Sequence, residues 1–191
     1  TAGASFTVSG NNLLSAGQTF ATYTNTGGVL TISFTSSDTA ATTALVNDVA
    51  RHITYGNNTP AGDATLRFTL SDGTASTTTD VTVASDTIYV TNAIDTATID
   101  PSNGVSLSEA IAMAAADATG SQTIVIAPSL AGQTLTLAGN VALSESLTLD
   151  LSAASGVTLS GSTLTLGAGA TLTVVNGAGN TATIATALAG T

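Results

Sequence analysis

The stretch L-T-L-D-L-S-A-A-S-G-V-T-L-S-G-S-T-L-T-L-G-A-G-A-T-L-T-V-V-N-G-A-G-N-T-A-T-I-A-T, residues 147–186, states one pattern again and again. A short run in which aliphatic residues alternate with threonine gives way to Gly, Asn, Ser or Ala. No turn dipeptide stands between equal arms, as a hairpin would need. Alternation puts the aliphatic side chains on one face and the hydroxyls on the other. Such short strands at brief, uneven intervals suit a parallel β-helix, in which two or three strands make a coil of about 20 residues and each coil stacks on the last.

Working outward from it, T-I-Y-V-T-N (87–92) and Q-T-I-V-I-A-P-S-L-A-G-Q-T-L-T-L (122–137) are strand-like, and between them V-S-L-S-E-A-I-A-M-A-A-A-D-A (105–118) reads as a helix. Ser106 and Glu109 form S-x-x-E, a capping box in which each side chain satisfies a backbone donor of the first turn. Leu107, Ala110, Ile111 and Ala114 share a narrow apolar face. A helix over 106–117, placed immediately before the repetitive strands, is expected to close the open end of the stack, because terminal repeats must cover what inner repeats bury against each other. The order V-T-N, S-L-S-E-A-I and Q-T-I-V-I-A-P-S-L-A-G-Q-T-L-T-L resembles the start of the right-handed β-helix domains of bacterial outer-membrane and exported proteins. Their opening motif usually reads S-L-R-E-A-I, with a basic residue where this chain has Ser108.

Residues 4–35 contain three alternating runs, A-S-F-T-V-S, Q-T-F-A-T-Y-T and G-V-L-T-I-S-F, punctuated by N-N and N-T-G-G. Leu45, Val49 and Ile53 then recur at helical spacing, with Asp38 as the expected cap and an end near Gly56. A-T-L-R-F-T-L and T-T-T-D-V-T-V flank S-D-G, the signature of a hairpin. G-V-L-T-I-S-F, L-V-N-D-V-A-R-H-I-T-Y-G-N-N and P-A-G-D-A-T-L-R-F-T-L-S-D-G-T-A-S, taken in order, resemble the cadherin-like, immunoglobulin-sandwich repeats of large bacterial adhesins. That family carries further strands before the point at which this chain begins. The expected fold is therefore all-β: an incomplete cadherin-like sandwich with one short helix over 1–85, then a helix-capped right-handed parallel β-helix over 86–191. An incomplete sandwich has a bare edge, a template for a strand from a neighbour.

Composition narrows the function. Two basic residues, Arg51 and Arg67, stand against twelve carboxylates, a formal net charge of −10. Nucleic acid and anionic membrane surfaces both need clustered Lys and Arg, so neither fits as a partner. There is no cysteine for disulfides or thiolate metal sites. Apolar runs are too short to cross a bilayer as helices. Without Met or a signal-peptide pattern at T-A-G-A-S-F, the chain is expected to be a processed product or a piece of something longer.

Chemistry is thinly represented. His52 is the only histidine and is expected to pack on the first helix. Within the second block Glu145 and Asp150 are the acids on the coils, and neither has the basic or acidic partner a glycosidase needs. The chain is thus expected not to be an enzyme and to need no cofactor, with calcium the one ion its acids could hold. Asp86, Asp95 and Asp100 are the candidate ligands, although no D-x-[DN]-x-[DN]-G loop is present. Asp38, Asp48, Asp63, Asp72 and Asp80 are further carboxylates, with Asp63 and Asp72 beside glycines as turn formers. Thr134/Thr136, Thr163/Thr165, Thr171/Thr173 and Thr181/Thr183 form T-x-T pairs like those on the ice-binding face of some antifreeze proteins, with Thr148 and Thr158 breaking the pairing.

These features lead to a structural module of a large extracellular or cell-surface bacterial protein, forming a filament, stalk or matrix by self-association through open β edges and coil ends. The expected partner is another copy or the remainder of a longer chain. A surface adhesin for carbohydrate is the alternative, weakened because Tyr89 is the one aromatic residue beyond position 85. Ice binding is a minor third reading.

Overall fold

The structure is a computed structural model that describes residues 2–95, 98, 100–117 and 121–190. Strands account for 42% and helices for 13%, so the chain is mostly β. It divides into two compact units, Thr1–Asn57 and Asn58–Thr191.

The first unit is an antiparallel sheet in chain order: β1 (Thr7–Ser9), β2 (Asn12–Ser15), β3 (Gln18–Thr26) and β4 (Val29–Ser33), followed by helix α1 (Thr43–Arg51). The sequence does not announce strand β2, because N-N-L-L-S offers only two adjacent apolar residues and no alternation. Its core is Phe6, Leu13, Phe20, Ala21, Leu45 and Val49, with the Phe6 ring edge-on to Phe20. The expected cap, Asp38, lies too far upstream of α1. Thr42 is the N-cap, and its hydroxyl accepts the N–H of Leu45 at 3.4 Å. Asp38 instead accepts the N–H of Thr19 at 3.1 Å. Helix α1 stops at Arg51, so Ile53 lies beyond its end.

The second unit begins with the hairpin β5 (Ala64–Ser71) and β6 (Ser76–Val83), paired antiparallel from Ala64↔Val83 to Ser71↔Ser76. Asp72 makes the turn by accepting the N–H groups of Thr74 and Ala75. Although grouped with the first block in the sequence, this hairpin belongs to the second unit. There follow β7 (Thr87–Val90), helix α2 (Leu107–Ala116), β8 (Gln122–Ile126), β9 (Thr134–Leu137), β10 (Val141–Leu143), β11 (Leu147–Asp150), β12 (Val157–Gly161), β13 (Leu164–Leu166), β14 (Leu172–Val175), β15 (Ala182–Ile184) and β16 (Leu188–Gly190).

These strands form three parallel sheets, β7-β8-β11-β14, β9-β12-β15 and β10-β13-β16. From β8 onward the chain visits the three in turn and then starts again one strand further along each. One circuit is longer than the 20 residues expected. Side-chain to backbone bonds between neighbouring circuits join residues 23 apart at Asn140 and Thr163 and 25 apart at Ser146 and Thr171. Strand residues alternate buried and outward: β8 buries Ile124 and Ile126, β11 Leu147 and Leu149, β12 Val157 and Leu159. In register across circuits, Leu149 pairs with Ile124, and Leu159 with Leu135. The core is thus a stack of aliphatic layers with no aromatic ring among its buried members. Gly161 is required where β12 meets β9, because a Cβ there would sit 2.5 Å from the Leu137 carbonyl oxygen, at φ +94°.

Candidate functional site

The two ends of this stack differ, and the difference is built from named residues. At the leading end, Ser106 is the N-cap of α2 and is wholly buried. Its hydroxyl accepts the N–H of Glu109 at 3.4 Å, and its own N–H donates to Glu109 Oε2 at 2.7 Å. The other oxygen, Oε1, accepts the N–H of Asp100 at 2.6 Å. Glu109 is 2% exposed, and these N–H donors at a helix N-terminus are what make burial of a carboxylate tolerable there. The apolar face expected of this helix, Leu107, Ala110, Ile111 and Ala114, is buried in the main core. Helix α2 packs against β7, β8, β9 and β10.

The strand edges at that end are also occupied. Pro60–Gly62 runs along β7: Tyr89 N–H donates to the Pro60 carbonyl at 2.8 Å and Gly62 N–H to that of Thr87, with Ala61 bridged antiparallel to Ile88. Ile94 bridges Thr136 of β9. Asp95, next to it, accepts the Ala138 N–H at 2.9 Å, the Ser108 hydroxyl at 2.6 Å and the Ser108 N–H at 3.1 Å.

At the trailing end β14, β15 and β16 are the last members of their sheets among the described residues. Val174, Ile184 and Leu188 occupy the positions that Leu149, Leu159 and Leu164 hold one circuit earlier. Exposure rises from 3%, 4% and 5% to 41%, 40% and 55% along those pairs. A cavity of about 20 Å³ opens along the lumen, lined by Leu107 and Ile111 of α2 at one side and by Ile184, Thr186 and Leu188 at the other. Thr186 is 6% exposed, and among the described residues its hydroxyl has no hydrogen-bond partner.

The three aspartates proposed as calcium ligands have separate tasks. Asp95 ties α2 to the end of β9 as above. Asp100 accepts from the Ser102 hydroxyl at 2.5 Å and the Ser102 N–H at 3.2 Å, which hold its carboxyl below the usual range, the hydroxyl most strongly. Asp86 offers its carbonyl to the N–H of Thr123. Among the described residues no three His, Asp or Glu side chains converge on a common point. Of the first-block acids, Asp48 accepts the Ser5 N–H, Asp63 the Ser85 N–H, and Asp80 a two-pronged contact from Arg67. His52 is the C-cap of α1, with Nδ1 2.7 Å from the Asp48 carbonyl and its ring edge-on to Phe6. Asp150 faces away from its leucines and accepts the N–H of Ser152.

The threonines are arranged differently from the T-x-T pairs read along the sequence. Thr163, Thr171 and Thr181 lie just before their strands. Columns form instead across circuits: Thr87, Thr123, Thr148 and Thr173 are in register, as are Thr134, Thr158 and Thr183. Thr148 and Thr158, which break the pairing along the sequence, are members of these columns. Thr136 and Ser160 are hydrogen-bonded neighbours at 3.2 Å.

No protein-family model, curated protein or solved structure matches this chain.

Proposed function

We propose that this chain is a structural module of a large extracellular bacterial protein, a stalk, filament or matrix element that works by self-association. In this reading the second unit is a right-handed parallel β-helix capped by α2, and the first block is part of a cadherin-like sandwich. Three parallel sheets visited in rotation support the former, and an antiparallel sheet with one helix supports the latter. The observation that carries the function is the hairpin β5-β6, which pairs with no third strand among the described residues and leaves Phe68, Leu70 and Val81 exposed. Open strand edges flanked by apolar side chains are templates for pairing with another chain. Sedimentation velocity over a wide range of protein concentration, in calcium and in chelator, tests it. Species larger than the monomer should grow in as concentration rises; a monomer throughout would remove the proposal.

A second reading, binding of an extended surface ligand such as carbohydrate or ice, draws on the Thr134-Thr158-Thr183 column beside Thr136 and Ser160. Thermal hysteresis of the purified protein addresses the ice variant directly.

A further inference from the structure

We infer that Asn103 is a site of spontaneous covalent modification: its side-chain amide is lost by ring closure with Gly104, and the carboxylate left behind loosens the turn that ties Asp100 to α2. Water is the only other reactant.

The dipeptide Asn103-Gly104 closes the short 3-10 turn Pro101–Asn103. An asparagine amide is attacked by the backbone nitrogen of the residue that follows it, and a side chain on that residue is what ordinarily obstructs the approach. Here the fold forbids one. Gly104 has φ +94°, and a Cβ on it would lie 3.0 Å from Thr91 Oγ1 and 3.3 Å from Asn92 Cβ. The residue beside the amide therefore stays bare. Asn103 itself is exposed, so water reaches it. Its amide nitrogen, oriented so that its N–H groups meet acceptors, donates to the Gly104 carbonyl at 2.8 Å and to the Asp100 carbonyl at 3.0 Å. The side chain is thus folded back onto Gly104, the residue that supplies the nucleophile.

The step balances without an oxidant or a catalyst. The Gly104 nitrogen gives up its proton and bonds to Asn103 Cγ, the Cγ–Nδ2 bond breaks, and Nδ2 departs as ammonia. Water then opens the cyclic imide at one carbonyl to give aspartate, or at the other to give isoaspartate, in which the chain runs through the former side chain. One water is consumed and one ammonia released.

The product no longer suits its place. The amide gave two N–H bonds, whereas a carboxylate only accepts, and it would face the carbonyl oxygens of Gly104 and Asp100. That turn holds the Asp100 N–H on Glu109 Oε1 at 2.6 Å, and the Asn103 carbonyl accepts the Asn92 amide at 3.4 Å. Repulsion at position 103 pulls on both contacts, so a slow, one-way reaction weakens the anchorage of α2.

Peptide mapping by mass spectrometry of the folded 191-residue chain, aged in mildly alkaline buffer, reads the conversion. The expected result is loss of the Asn103 amide, with both aspartate and isoaspartate at that position, faster as pH rises because the attacking nitrogen must shed its proton. Asn103→Gln, whose longer side chain closes a less favourable ring, should keep its amide over the same period. Asn103→Asp carries the product's charge from the start and should lower the urea midpoint of the second unit, by more than Asn103→Gln does. An Asn103 that persists in the folded chain, while the same chain unfolded in guanidinium loses it, would show that the fold protects the amide and would overturn the inference. Conversion in the folded chain with Asn103→Asp as stable as the parent would overturn the loosening of α2.

Discussion

The carboxylate of Asp95 accepts the hydroxyl of Ser108 at 2.6 Å, and through this pair the loop before α2 holds the first turn of the helix. The same carboxylate takes the N–H of Ala138, 43 residues further on. One side chain therefore fixes the first turn of α2 to the end of β9. Asp95→Ala leaves three donors without their acceptor, and charged acceptors of this kind contribute about 1.5–3 kcal/mol each to hydrogen bonding. Loss of about 2–4 kcal/mol from the second unit is the expected result, read by urea denaturation. Ser108→Ala removes only the hydroxyl and should cost about 1 kcal/mol. Equal stability of Asp95→Ala and the parent chain would show that water replaces the carboxylate.

The capping box gives a graded pair of variants. Ser106→Ala should destabilise the second unit by about 1 kcal/mol, the usual effect of losing an N-cap side chain. Glu109→Ala should cost more, because the N–H groups of both Ser106 and Asp100 lose their acceptor inside a buried site. Thermal melts of the two variants should therefore rank Glu109→Ala below Ser106→Ala. The reverse order would mean that the glutamate is not holding the loop.

Much of this end was readable in the sequence, and the reason is locality. The S-x-x-E signature, the apolar face of α2 and the S-D-G hairpin all depend on residues within a few positions of one another. What escaped depends on contacts across circuits. Nothing near Asp95 announces that it reaches Ala138. The threonine columns are set by a circuit length that varies with each turn, which made Thr148 and Thr158 look like defects. The start of α1 was misplaced for a simpler reason: both Asp38 and Thr42 are competent caps, and Asp38 is taken by the N–H of Thr19. Strand β2 had no alternation to reveal it and exists because β1 and β3 flank it.

Three exposed aspartates contribute to the response to acid. Asp72 is held below the ordinary carboxylate range by the N–H groups of Ala75 and Thr74, Asp80 by the Arg67 guanidinium, and Asp100 by Ser102. Each binds a proton less readily in the folded chain than in the unfolded one. Their contribution is thus complete above the unfolded value of about 3.9 and is lost as pH falls through the lower folded values. Arg67 is shifted the other way by Asp80, so its share is lost only in strong alkali. The urea midpoint should hold from neutrality to mildly acidic pH and fall below about pH 4, with a shallower fall in Asp72→Asn. Carboxyl titration by NMR should place all three midpoints below those of model peptides.

Gly161 tests the stacking of circuits. An alanine Cβ there would lie 2.5 Å from the Leu137 carbonyl oxygen and 2.9 Å from its nitrogen, at a backbone angle that L residues rarely adopt. Neither backbone atom can give way without opening the β9-β12 ladder. Gly161→Ala should cost about 2 kcal/mol or more, combining positive-φ strain with overpacking. Gly169, also at positive φ but with nothing within 4 Å of its Cβ position, isolates the strain alone. Gly169→Ala should therefore lose only about 1 kcal/mol, and comparable losses at both sites would mean that close packing adds nothing.

The stack should also open from one end. Among the described residues, strands β8 and β11 have neighbours on both sides and bury Ile124, Ile126, Leu147 and Leu149, whereas β14, β15 and β16 have a neighbour on one side and leave Val174, Ile184 and Leu188 substantially exposed. Local opening is cheapest where few apolar contacts are lost. Amide exchange measured on the 191-residue chain should accordingly be fastest in β14–β16, slower in β11–β13 and slowest in β8 beneath α2. The Asp95→Ala variant should accelerate exchange at β8 and β9 first, since it loosens the cap. Uniform protection along all circuits would show instead that the second unit opens as a single cooperative block.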